Sequence, residues 1–228
     1  MNNNMINHDN IINFLTETLS EDKGVLKKIR HEADKDGIPL LMLESSRFLE
    51  VLVKIKRPGK ILEAGTATGY SSILMCLATA GQAIVDTVEK DYHSIKTAIY
   101  NIKEAGLSDR IRIIAGEFTD VFSNLSGKYD IIFLDAAKSS YIDVLPHCER
   151  LLNDTGILVS DNVLYKGMVA AEGPIKHKQR TIVKNMRRYL DYLCNDGSFH
   201  TSIIPIGDGI SISVKNYSNI GDNDDKKT

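Results

Sequence analysis

Four side chains pose the chemical question. Asp135 and Lys138, in Asp135-Ala-Ala-Lys138, follow the apolar run at residues 129–134, and Asp161-Asn162 follows a second such run at 156–160. Two carboxylates and an amide oxygen, with no Cys or His beside them, suit a hard divalent cation such as Mg²⁺ that keeps some water and accepts substrate oxygens. The six histidines are scattered and supply no zinc motif. Taken singly, Asp135 serves equally well as a helix N-cap and Asp161-Asn162 as a turn. If the two runs are neighbouring strands, all three oxygen donors, Asp135, Asp161 and Asn162, project from one sheet edge. Lys138 then shares their crevice and can take a proton from a substrate hydroxyl; outside such a crevice it is an ordinary solvated lysine.

A second constellation is Ile61-Leu-Glu63-Ala-Gly65-Thr66-Ala-Thr-Gly69-Tyr70-Ser71. Glycine lets the backbone approach a ligand closely, and the start of a following helix offers free N–H groups. The spacing Gly65 to Gly69 departs from the G-x-G-x-x-G of dinucleotide enzymes, which disfavours a diphosphate seat. Glu63, just before the first glycine, suits a positively charged or polar cofactor. Glu89 closes the next apolar run in Val88-Glu89-Lys90, where a carboxylate can hold two ribose hydroxyls. A ligand-free strand-to-helix turn is the plainer alternative.

Elements of a particular kind must position these residues. Apolar residues at three- and four-residue intervals predict helices over 7–19, 21–34 and 44–55, with breaks at Gly37-Ile38-Pro39 and Arg57-Pro58-Gly59. From residue 60 onward short β-type runs (60–63, 83–88, 111–115, 129–134, 156–160) alternate with helix-length segments, as in βαβ units around a parallel sheet. A long helix is expected over 175–194. Residues 202–213 then read as two strands joined by a tight turn at Gly207-Asp208-Gly209, so that the parallel sheet ends in a reversed hairpin. The expected organisation is one α/β domain over 1–215, with N-terminal helices over 1–36 and a core over 37–215, followed by a disordered tail over 216–228.

Composition narrows the class. The first ten residues lack the basic-then-apolar order of a secretory signal, and no apolar run approaches the roughly 20 residues that cross a bilayer. A cytoplasmic protein that does not engage membranes is expected. Cys76, Cys148 and Cys194 each fall in a helix-like apolar stretch and read as buried reduced thiols. Net charge is -2, yet residues 174–188 carry Lys176, Lys178, Arg180, Lys184, Arg187 and Arg188 with no acid.

Leu62-Glu63-Ala-Gly65-Thr66-Ala-Thr-Gly69-Tyr70-Ser71, followed by Val88-Glu89, resembles the S-adenosylmethionine site of the catechol and caffeoyl-CoA type O-methyltransferases. Asp135-x-x-Lys138 with Asp161-Asn162 resembles that family's metal and base motif, and the resemblance runs from about residue 37 to 214. It implies a Rossmann-like seven-stranded sheet whose final antiparallel strand is set between two others. It implies that Gly65, Thr66, Gly69, Tyr70 and Ser71 surround the methionine part of the cofactor and that Glu89, with Lys90 beside it, holds the ribose. Gly116, Glu117 and Phe118 then lie at the adenine, and Leu41, Glu63 and Asp135 complete the cofactor contacts. A homodimer, the common state of such relatives, is expected, with the N-terminal helices offering an interface.

The strings 161–170 and 203–209 look most like the bacterial branch that methylates 5-hydroxyuridine at the tRNA wobble position. That base pairs a hydroxyl with a neighbouring oxo group much as a catechol does, and an anticodon base is already unpaired. Lys176, Lys178, Arg180, Arg187 and Arg188 are the candidates to meet a phosphate backbone; a solvated helix face is the alternative. A small vicinal-hydroxyl molecule remains the competing substrate. A nicotinamide dehydrogenase would need another glycine spacing, and a non-catalytic nucleic-acid-binding module would leave the Asp135, Lys138, Asp161 and Asn162 set unexplained.

Overall fold

In the computed structural model, which describes residues 6–216, the chain runs through α1 (Asp9–Thr18), α2 (Gly24–Asp36), α3 (Leu43–Lys56), β1 (Lys60–Ala64), α4 (Tyr70–Ala78), β2 (Ile84–Glu89), α5 (Tyr92–Glu104), β3 (Ile111–Ala115) and α6 (Phe118–Asn124). It continues through β4 (Tyr129–Leu134), a 3₁₀ turn over Lys138–Ser140, α7 (Tyr141–Leu151), β5 (Leu152–Asp161), α8 (His177–Asn195), β6 (Phe199–Ile204) and β7 (Ile210–Lys215). The seven strands form one sheet in the order β3-β2-β1-β4-β5-β7-β6. The expected Rossmann-like, seven-stranded sheet is therefore present, with its N-terminal helices and its C-terminal antiparallel hairpin.

The hairpin is reversed only in part. β7 pairs antiparallel with both β5 and β6, so β7 alone runs against the sheet and β6 at the edge points the same way as β1 to β5. The tail expected over 216–228 lies outside the described residues except for Asn216, whose amide donates to the Ser198 carbonyl at 3.0 Å.

Residue alternation along the strands builds a core on each face. Ile61, Val85, Ile131, Phe133 and Val159 pack against α2, α3, α4 and α5. Their chain neighbours Leu62, Ile132, Leu134 and Leu158 pack on the other face with α6, α7 and α8. A parallel sheet covered on both sides needs such apolar runs, which is why Ile61-Leu62 in β1 and Ile131 to Leu134 in β4 are hydrophobic at successive positions. On α8 the buried stripe is Val183, Met186, Tyr189, Leu190 and Leu193. Cys194 falls one position off that stripe and is exposed, against the expectation of burial, whereas Cys76 and Cys148 are buried as expected. None of the described helices is long and apolar enough to cross a membrane.

Candidate active site

The register of the sheet decides whether the two acidic tips meet. Leu134 of β4 is the Cα partner of Ser160 of β5, and the strands are parallel, so Asp135 and Asp161 leave adjacent strands at the same edge. Ala64 of β1 partners Leu134, and the Asp135 amide donates to the Ala64 carbonyl at 2.9 Å, which carries the alignment one residue further. Tyr141, the first residue of α7, is fully buried beneath both tips. Its hydroxyl lies 2.8 Å from the Leu134 carbonyl and 3.4 Å from that of Asp161.

Asp161 is 4% exposed, and its Oδ1 has no hydrogen-bond partner. Burial first, and the charge of Asp135 second, push its carboxyl up to about 7. A buried carboxylate beside a second carboxylate, with one oxygen unsatisfied, is unfavourable unless a cation joins them. Lys138 Nζ donates to Asp135 Oδ1 at 2.8 Å, and its charge acts on Asp161 without outweighing burial and the charge of Asp135. Asn162 stands at φ 57°, in the left-handed region, which turns the chain at the end of β5 and brings the residue to the crevice wall. The donor set therefore fits a hard divalent ion. Among the described residues no group of three or more His, Cys, Asp or Glu is placed to hold a metal, and this set reaches three only with the amide of Asn162.

Next to this cluster lies the glycine turn. Gly65 has φ 95°, and a Cβ placed there would stand 2.2 Å from the Asp135 carbonyl oxygen. The glycine is thus required for the close approach of β1's turn to the tip of β4. Gly69 caps α4 at φ 82°. Buried Asn101 pins the turn from α5 by donating to the Thr68 carbonyl at 2.9 Å. Glu89 accepts four backbone N–H groups: Oε2 takes those of Thr66 and Ala67 at 3.2 and 3.0 Å, and Oε1 takes those of Lys90 and Asp91 at 2.9 and 3.0 Å. The carboxylate at the end of β2 is thereby locked at the mouth of the turn.

A cavity opens above these groups. Gly65, Thr66, Tyr70 and Ser71 line one side, and Glu89, Lys90, Gly116, Glu117 and Phe118 line another. Leu41 and Asp135 complete it. Two of the residues expected on the wall stand elsewhere: Gly69 only caps the helix, and Glu63 is fully buried under the turn. The Glu63 carboxylate accepts from the hydroxyls of Ser72 and, at 2.6 Å, Thr87. It stabilises the cradle from beneath rather than touching what sits in it.

Burial raises the Glu63 carboxyl from 4.5 to about 7. The folded chain then binds a proton more tightly than the unfolded chain between those values, so stability falls as pH rises from about 4.5 to 7 and levels off above. Glu63→Gln should remove this slope and stabilise the fold by up to about 3 kcal/mol at pH 8. Thermal melts at pH 5 and pH 8 check this: the gap between the variant and the parent protein should open only at the higher pH.

A second cavity adjoins the first, with Asp135, Leu40 and Leu41 lining both. Its polar side holds Lys138, Asp161 and Asn162, and its apolar side holds Pro39, Leu40, Leu41 and Met42. Tyr165, Lys166 and Asp208, also on this wall, were not anticipated from the sequence. Ile210 partners Asp161, so the turn before β7 sits at the active edge. Asp208 Oδ1 accepts the Lys166 amide at 2.5 Å. The Gly207-Asp208-Gly209 string, read as a turn and as part of the likeness over 203–209, reaches the site because β7 is inserted beside β5.

The basic stretch stands apart from the crevice wall. Lys176, Lys178, Arg180, Arg187 and Arg188 are exposed and line neither cavity. Arg180 Nε donates to the Ile175 carbonyl at 3.0 Å, and Arg187 donates to the carbonyls of Val169 and Ala171 at 2.9 and 2.6 Å. Both therefore also hold the loop before α8. That helix meets the turn that bears Lys138, where Asn185 Nδ2 donates to the Ser139 carbonyl at 2.7 Å.

A doubly wound sheet with a glycine turn after β1 and an acid at the end of β2 provides a seat for a nucleoside cofactor at the carboxyl ends of the strands. The sequence model of a family described as O-methyltransferase matches residues 16–216. The chain belongs to the O-methyltransferase family and is an S-adenosylmethionine-dependent enzyme of the caffeoyl-CoA and catechol type. It is 29% identical over 177 residues to caffeoyl-CoA O-methyltransferase of Populus kitakamiensis, covering 75% of each chain. It is 26% identical over 223 residues to catechol O-methyltransferase of Niastella koreensis, covering 95% of this chain and 96% of the other. Among solved structures, the SAH-bound methyltransferase PaMTH1 of Podospora anserina shares the fold with a TM-score of 0.82 at 20% identity, over 92% of this chain and 95% of that one.

Proposed function

We propose that the protein is a Mg²⁺-dependent O-methyltransferase that converts 5-hydroxyuridine at the tRNA wobble position to 5-methoxyuridine, acting as a cytoplasmic homodimer. The observation that carries the cation is the pairing of Asp135 and Asp161 on register-matched strand tips, with one buried oxygen of Asp161 unsatisfied. Asp135, Asp161 and Asn162 would hold the ion. Bound there, it supplies Lewis acidity that lowers the pKa of a substrate hydroxyl and orients two adjacent substrate oxygens. Lys138 Nζ, 2.8 Å from Asp135, is the base placed to take the hydroxyl proton, which it does as the neutral amine after giving up its own proton to solvent. Leu40 and Leu41, shared by both cavities, exclude water where the acceptor oxygen meets the donor methyl. Because opposite charges cancel in the transfer, rate comes chiefly from holding the two reactants in line at contact distance.

Two features support an RNA substrate: the basic run over 174–188, most of it on a helix that touches the Lys138 turn, and the likeness of 161–170 and 203–209 to the tRNA-modifying branch. The apolar wall of Pro39, Leu40, Leu41 and Met42, together with the names of the curated relatives, favours a small vicinal-hydroxyl substrate as the second reading. Mass spectrometry of tRNA nucleosides from cells lacking the gene separates them. Loss of 5-methoxyuridine with accumulation of 5-hydroxyuridine supports the tRNA reading; unchanged tRNA rejects it.

Charge reversal gives an independent check in vitro. Arg187 holds a loop and is a poor site for it, so Lys178→Glu with Arg188→Glu is the cleaner pair. On a tRNA substrate this double variant should weaken binding and flatten the dependence of log K on log salt by about two, one for each lost phosphate contact. Methylation of a simple catechol by the same variant should be unchanged.

A further inference from the structure

On the side of the crevice away from the metal ligands, a buried charge network joins the cofactor turn to the apolar wall. Asp22, just before α2, is 4% exposed. Its carboxylate accepts from Arg30 Nε at 2.6 Å, from the Tyr70 hydroxyl at 2.8 Å and from Arg47 of α3. Arg30 directs its remaining donors to three separate segments. Nη1 donates to the Leu41 carbonyl at 3.0 Å, and Nη2 donates to the Tyr70 hydroxyl at 2.6 Å and to Ser46 Oγ at 3.2 Å. The guanidinium carbon also lies 4.8 Å from the centre of the Tyr70 ring. Ser46 Oγ in turn donates to the Met42 carbonyl at 2.9 Å.

Neutralising Asp22 would need only a nearby cation, and Arg47 already provides one. The second arginine does something else. Tyr70 is the first residue after the glycine turn, and Leu41 lies on the wall common to both cavities. A planar guanidinium fixes the spacing of the groups it bridges, which a flexible ammonium does not. We infer that Arg30 is a positioning residue for S-adenosylmethionine: by holding the Leu41 carbonyl and the Tyr70 hydroxyl on one fork, it preassembles the Pro39–Leu41 wall against the glycine turn and makes helix α2 part of the cofactor site. The inference needs neither the tRNA substrate nor the cation, so it stands or falls apart from them.

Two variants test it. Tyr70→Phe keeps the ring on the cavity wall and removes only the hydroxyl; Arg30→Lys keeps a cation beside Asp22 but cannot bridge three segments. S-adenosylhomocysteine binding is measured by calorimetry below the melting temperature of each variant, with KM for S-adenosylmethionine, kcat and hydrogen exchange at Leu41 and Met42. Each variant should raise the Kd about tenfold, which corresponds to about 1.4 kcal/mol. KM should rise in step while kcat stays within about threefold, and exchange should quicken at Leu41 and Met42 but not in β4. Because the two side chains act through one link, the double variant should bind no more weakly than the worse single one. A merely structural network would lower Tm and leave the Kd alone. A Kd within twofold of the parent value in both variants overturns the inference, as would losses that multiply in the double variant. If Arg30→Lys does not fold, Tyr70→Phe decides.

Discussion

Asp161→Ala is expected to reduce kcat by roughly a thousandfold while S-adenosylhomocysteine binds within about threefold of its parent affinity. The rate loss is the several kcal/mol that a well-held Lewis acid contributes to the developing charge. Binding is spared because Asp161 lines the second cavity and not the first. The substitution should not destabilise the cation-free fold, since it removes a 4% exposed carboxylate whose Oδ1 has no partner and whose ionisation burial already opposes. Steady-state rates across a Mg²⁺ titration, with calorimetry for the cofactor product, measure both halves. A variant that keeps more than a tenth of the parent kcat would mean that Asp161 holds no essential ion.

Gly65→Ala should do the reverse and strike the cofactor first. The added Cβ would meet the backbone of Asp135, at 2.2 Å from its oxygen and 2.9 Å from its carbon, and φ 95° is itself unfavourable for alanine. Backbone strain of this kind costs about 1–3 kcal/mol before the clash is relieved. Relief must push the turn away from β4, which separates the methyl donor's seat from Asp135. The expected result is a loss of roughly a hundredfold or more in S-adenosylhomocysteine affinity together with a lower Tm. Unchanged affinity in a folded variant would show that the turn can move without consequence. Gly69→Ala makes a milder contrast: φ 82° strains alanine there too, but its Cβ would meet only Ala98, at 3.3 Å from Cβ, 3.4 Å from Cα and 3.7 Å from the carbonyl oxygen.

What the sequence revealed of this arrangement follows from which interactions are local. Runs such as Ile61-Leu62 and Ile131 to Leu134 are buried on both faces and advertise themselves as strands of a covered parallel sheet. Asp135, Asp161 and Asn162 were legible as a group because each ends such a run, and parallel neighbours end at the same edge. β5 was harder to delimit. It extends back to Leu152 through Asn153, Asp154 and Thr155, polar residues that sit in the irregularity between the Tyr129–Leu152 and Ile131–Ile157 pairs. The start of β6 at Phe199 was hidden in the same way, since at the sheet edge alternate residues such as His200 and Ser202 face solvent.

The misplaced side chains share a cause as well. Glu63 is the penultimate residue of β1, but the pleat sends it under the loop, to Ser72 and Thr87, where no sequence rule places an acid. Asp208 was invisible as a wall residue because it joins Asp161 only through insertion of β7 between β5 and β6. Asp22, Arg30 and Tyr70 are separated by up to 48 residues, and nothing in helical periodicity points one toward another. Long-range polar contacts of this sort become readable only when topology has brought their elements together.

Asp135, Asp161 and Asn162 are expected to gather one hard cation beside the methyl donor's cavity. The most direct measurement is a crystal structure of the protein with Mn²⁺ and S-adenosylhomocysteine, with the metal located by its anomalous scattering. The expected result is a single strong peak bonded by side-chain oxygens of all three residues, next to the cofactor's sulfur. A peak elsewhere, or none at this position in crystals that bind the cofactor, would contradict it.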